Sequence, residues 1–136
     1  MERKLKHLEM IQGVVNRLAS NSFRIKGWTV VIVPALIAVL ALEDKIESAH
    51  IAFVPVLLFW GLDGYFLWQE RLFRTLFDHV RSMDESAIDF SMDTSSLRSD
   101  RKRTWLGATF SITLLLFYAA LVIAIGLIVA IGDTSG

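Results

Sequence analysis

The sequence has no cysteine, only two prolines and three histidines, and no excess of charge of either sign. Each shortage removes a class of protein. Without cysteine there are no disulfides, thiolate nucleophiles, cysteine-held zinc sites or iron–sulfur clusters. His7, His50 and His79 stand far apart, so no two imidazoles share one helix face as metal ligands. No metal and no cofactor is expected. Fourteen basic residues balance fourteen acidic ones, leaving no basic field to attract nucleic acid. No nucleophile–base pair or acidic metal cluster stands out, so an enzyme is not expected either.

What is abundant is apolar residues, 54% of 136, in a length suited to one domain. They fall in three stretches. Residues 28–42 carry no charge and lie between Lys26 and the pair Glu43-Asp44. Residues 49–68 are broken only by Asp63, and residues 106–131 hold no charge at all. A bilayer core needs about 17–25 helical residues. The first stretch is short, and the lysine stem at its edge lengthens it. The third would be about 39 Å long as one helix and must tilt or protrude. The expected fold class is therefore all-α: an integral membrane protein, one membrane domain over 1–136, with three transmembrane helices. Its parts are a cytoplasmic amphipathic helix (1–26), a first span (27–42), an outer loop (43–48) and a second span (49–68). A cytoplasmic helix with an acidic and basic loop (69–103), a third span (104–132) and an outer tail (133–136) complete it.

Direction follows from the basic residues. Arg3, Lys4, Lys6, Arg17, Arg24 and Lys26 precede the first span, and seven more lie at 71–103. The loop between spans one and two has Lys45 alone. Basic residues collect on the cytoplasmic side, which places the N-terminus in the cytoplasm and the C-terminus outside. Trp28, Trp68 and Trp105 at the same ends agree, because indoles settle at the headgroup level.

Outside the spans, Leu5, Leu8, Ile11, Val15 and Leu18 recur at helical spacing and line one face. That face either lies on an anionic leaflet or packs on helices of its own chain. Glu9 and the modest width of the face favour packing. Asn21, Ser22 and Gly27 would make the turn into the first span. The second span has no stop signal, and Leu72, Phe73, Leu76 and Phe77 continue its period, as a candidate surface for a signal or a cytoplasmic partner. Ile88, Phe90 and Met92 alternate like a short docked strand. The acids of 83–103 lack calcium-loop spacing. Arg101, Lys102 and Arg103 anchor the third span and are candidates for a lipid headgroup.

Asp63 is the sharpest chemical signal. A carboxylate at the centre of a span costs about 2.5–3.5 kcal/mol on insertion scales, so it needs protein, water or a cation beside it. Thr109, Ser111 and Thr113 lie at comparable depth and Lys26 lies nearby, so these groups could cap it; alternatively it lines the axis of an oligomer. A proton relay needs further titratable partners that the sequence lacks. Gly61 and Gly64 beside it, with Gly107 and Ser111, Ala120 and Ala124, and Gly126 and Ala130, allow close helix contact within or between subunits. Three helices enclose no pore, so a channel would need a homo-oligomer.

Several motifs together resemble a known group: Asn21-Ser22-Phe23 with Lys26-Gly27-Trp28, Phe59-Trp60-Gly61-Leu62-Asp63 running into Gln69-Glu70-Arg71-Leu72-Phe73-Arg74, and Ile88-Asp89-Phe90-Ser91-Met92-Asp93-Thr94. As a set they resemble a widespread group of small bacterial inner-membrane proteins of no assigned activity, over nearly the whole chain. The plan is also similar to SLATT-type membrane effectors. That resemblance implies an oligomeric inner-membrane effector in antiphage defence, conducting ions or perturbing the bilayer when a sensor partner triggers it. The alternative expectation is a non-conducting scaffold or regulatory subunit that anchors a cytoplasmic partner.

Overall fold

The computed structural model describes residues 1–97 and 104–135. Four α-helices, α1 (Glu2–Leu42), α2 (Phe53–Ser82), α3 (Trp105–Thr109) and α4 (Ile112–Thr134), carry the fold, and a 3₁₀ segment (Ile46–Ala52) leads into α2. Among the described residues three helical stretches are long and apolar enough to cross a membrane: α1, α2 with its 3₁₀ lead, and α4.

The first helix is longer than the sequence suggests. The expected turn between residues 22 and 27 is absent, and 41 residues run without interruption for about 62 Å. The reason is local. Ser22, a good N-cap residue, gives its hydroxyl to Asp63 and leaves the backbone uncapped. Gly27 is exposed with open space around it, so nothing demands a special backbone angle there. The helix stops at Asp44, whose φ of 55° opens a left-handed turn. Lys45 N–H then donates to Leu40 C=O at 2.8 Å and Asp44 N–H to Ala41 C=O at 3.3 Å, which closes a Schellman motif.

Helix α2 returns antiparallel along α1. Lys4 Nζ donates to the carbonyls of Arg81 (2.9 Å) and Met83 (2.6 Å), covering the open C-terminal end of α2. The Met1 amine pairs with Glu85 at the same end. Between those contacts and Asp63 lies one apolar cluster of Ile11, Leu76, Val80 and Ile88, flanked by Phe73 and Phe77. Leu72 is also fully buried. The residues expected to meet a partner thus serve first as the core between α1 and α2, in line with the packing role inferred for the N-terminal face. A second cluster, Val33, Ala52, Val56, Leu114, Tyr118 and Ile125, joins α1, α2 and α4 at the other end.

Two further elements differ from expectation. The segment 88–94 forms no strand, its backbone turning at Phe90, where φ is 58°, and no strand occurs among the described residues. Ile88 is buried against α1 and α2, whereas the backbone is held by side chains: Asp89 accepts from Ser91 N–H, Ser91 from Asp93 N–H and Asp93 from Ser95 N–H. Such Asx and Ser turns supply bonds that a sheet edge otherwise would. The third stretch is not one helix either. It breaks at Phe110 and Ser111, where Ser111 has a ψ of 155° and becomes the N-cap residue of α4. What remains, 23 residues, is about 35 Å long, which removes most of the excess length.

Candidate functional site

Ser22 and Lys26 lie one turn apart on α1 and so share a face. That face meets α2 at Asp63, whose side chain is fully buried. Ser22 Oγ donates to Asp63 Oδ1, and Lys26 Nζ donates to Asp63 Oδ2 at 2.6 Å and to Ser22 Oγ at 2.9 Å. From α4, Tyr118 OH donates to Asp63 Oδ2 at 2.9 Å. Helical side chains lean towards the N-terminus of their helix, which lets Tyr118 reach back from two turns inside α4. Its ring stacks on Trp60 with centroids 5.8 Å apart and planes 6° from parallel, fixing the direction of the hydroxyl. Thr29, fully buried about one turn beyond Lys26, donates to Ile25 C=O and keeps its own hydroxyl satisfied.

One carboxylate therefore ties α1, α2 and α4 together through two hydroxyls and an ammonium. Hydrogen bonds to a charged acceptor are worth about 1.5–3 kcal/mol each, against about 1 for neutral pairs. The position of the cluster is as telling as its bonds. Lys26 is the last charged residue of α1 before its apolar run. Asp63 pairs with it, so the carboxylate stands level with the start of the apolar run of α1.

The residues expected around Asp63 are arranged otherwise. Thr109, Ser111 and Thr113 make no bond to it among the described residues. Thr109 hydroxyl donates to Trp105 C=O, Ser111 Oγ is buried without a partner, and Thr113 is exposed. Nor does Asp63 line an open path in this chain, since none of its side-chain surface is accessible. The open end of the cluster is Lys26, whose side chain is 21% exposed. It borders a lateral groove of about 630 Å³ formed with Thr113, Leu116, Phe117, Ala120 and Leu121.

A second contact fastens α3 to α2. Trp60 Nε1 donates to Thr109 C=O (2.8 Å), and Trp105 Nε1 donates to Gly61 C=O (3.0 Å). Gly64 makes this approach feasible, because a Cβ there would stand 2.1 Å from Thr109 Oγ1. Of the small residues expected to pack helices, Gly64 is in tight contact and Gly61 faces Trp105. Gly107, Ala120 and Ala124 are exposed, and Gly126 has open space beyond its α-carbon. Those on α4 are thus not used inside the chain. Arg101, Lys102 and Arg103 lie outside the described residues. Among the described residues no group of three potential metal ligands occurs.

Sequence reasoning found Asp63 and Lys26 but missed Ser22 and Tyr118 as their partners. The signals were the i, i+4 pair Ser22 and Lys26 just before an apolar run, and a single phenol within an uncharged stretch. Comparison with protein-family models, curated proteins and solved structures finds no match.

Proposed function

We propose that the chain is a membrane-anchored scaffold or regulatory subunit that presents a cytoplasmic helical hairpin to a protein partner. The observation that carries this reading is the occupancy of Asp63. The charged group within the second apolar stretch is consumed by three contacts inside one chain, as a structural anchor requires and as a pore-lining carboxylate does not. The hairpin formed by residues 2–22 of α1 and 66–82 of α2 is continuous with the apolar runs, so a contact at its end transmits to them rigidly. In this reading the chain sits in a bacterial inner membrane with both helices of the hairpin in the cytoplasm and residues 43–48 outside, as the basic residues direct.

A second reading, a triggered oligomeric effector of antiphage defence that conducts ions or perturbs the membrane, draws on α4. Among the described residues its side-chain hydrogen bonds to α2 come from Tyr118, and Leu116, Ala120, Ile123 and Leu127 are exposed. Release of those bonds would free the helix to pack against other copies. Native mass spectrometry in nanodiscs, followed by planar-bilayer recording, separates the two. The scaffold predicts a monomer or dimer without conductance, and photo-crosslinking from Leu5 or Met10 in cells to one soluble protein. A closed ring of four or more copies that conducts overturns it in favour of the effector.

A further inference from the structure

A cleft of about 300 Å³ opens at the far end of the hairpin, lined by Arg3, Lys6, His7, Met10 and Phe90. His7 is 3% exposed, and its Nε2 is buried with no hydrogen-bond partner. An orphaned ring nitrogen is costly in an interior and is a feature that needs an explanation. Beside it, Arg3 and Lys6 take part in none of the ion pairs formed by the described residues. The fourth wall is Phe90, whose ring meets the His7 ring edge-on at 5.5 Å. Phe90 has a φ of 58°, in the left-handed region that a bulky residue rarely adopts. The strained backbone turns an aromatic ring over the imidazole while leaving 39% of the residue exposed. Such outliers cluster at ligand clamps and switch segments.

We propose that this cleft binds a small phosphorylated ligand with a planar ring, the chemistry of a nucleotide. Arg3 and Lys6 would take the phosphate, the ring would lie against Phe90 and Met10, and its polar edge would face the His7 imidazole, whose Nε2 a small movement of the side chains around it would have to uncover. Guanidinium and ammonium groups are suited to phosphate oxygens. A lipid phosphate offers the same anion, but it fits poorly here. His7 lies about 30 Å along α1 from the start of its apolar run, out of reach of a headgroup at that level.

The test uses the full chain in phosphatidylcholine nanodiscs, titrated calorimetrically with ADP, ribose 5-phosphate and inorganic phosphate. ADP is expected to bind saturably and more tightly than the other two. Arg3→Ala with Lys6→Ala should weaken it about tenfold or more, the equivalent of about 1.4 kcal/mol. Phe90→Ala should remove the preference for ADP over ribose 5-phosphate. Arg3 and Lys6 are exposed, so their variants should keep the parent thermal transition. Absence of saturable ADP binding, or ADP binding unchanged in the double variant, overturns the proposal. Loss of ADP binding when phosphatidylglycerol replaces part of the phosphatidylcholine assigns the cleft to lipid headgroups instead, and also overturns it.

Discussion

Removing the Asp63 carboxylate leaves Lys26 beside a dry helix junction, and the structure allows the cost to be worked out. With Nζ 2.6 Å from Oδ2, the gross attraction is about 6 kcal/mol at an effective dielectric of about 20. Desolvation of both ions offsets much of this. Deleting one partner of such a pair nonetheless costs about 3–5 kcal/mol, because the other is left unpaired. Lys26 is 21% exposed and can swing towards the lateral groove, so Asp63→Ala belongs at the low end, about 3 kcal/mol. Lys26→Met strands a fully buried carboxylate that keeps only Ser22 and Tyr118, and should cost about as much or more. Asp63→Ala combined with Lys26→Met removes both ions and should fall well short of the sum, with a coupling of about 2–3 kcal/mol. Unfolding in mixed micelles of increasing SDS, followed by tryptophan fluorescence, measures all three. Effects that add to within about 0.5 kcal/mol would refute the idea that one charge pair holds the junction.

Other changes probe the surrounding packing. Gly64→Ala drives a methyl into Thr109 and should destabilise by about 1–3 kcal/mol, whereas Gly13→Ala, with open space around it, should stabilise α1 by about 0.5–1; thermal unfolding distinguishes the signs. Trp60→Phe loses the bond to Thr109 C=O and should speed hydrogen exchange in α3 without changing it in residues 2–20. Ile11→Ala and Leu76→Ala each open a cavity in the hairpin core, cost about 2–5 kcal/mol, and couple when combined; limited proteolysis of the hairpin reads both.

The sequence disclosed the apolar runs and the lone acid inside one of them because both are local features of composition. Helix continuity through residues 21–27 was hidden, since Ser22 reads as a cap until Asp63, 41 positions away, takes its hydroxyl. The break before α4 was hidden for a related reason. Phe110 and Ser111 are ordinary within an apolar run, and it is the bonds from Trp60 of α2 to Thr109 and from Trp105 of α3 to Gly61 that hold α3 as a separate element. Alternation at 88–92 placed Ile88 correctly towards the core, but no neighbouring backbone offers it a ladder. The site was half legible: the pair Lys26 and Asp63 follows from charge at an apolar boundary, while Tyr118 depends on the relative placement of α4.

The central claim, that three apolar helices carry a cytoplasmic hairpin at one end, is tested most directly by cysteine accessibility. The chain has no native cysteine, so single replacements report cleanly. Ser48→Cys, Ser86→Cys and Ser135→Cys can each be exposed to a membrane-impermeant maleimide on intact spheroplasts and after permeabilisation. The account predicts that positions 48 and 135 label from outside and that position 86 labels only once the membrane is opened. Labelling of position 86 on intact spheroplasts, or of 48 and 135 from opposite sides, would contradict it.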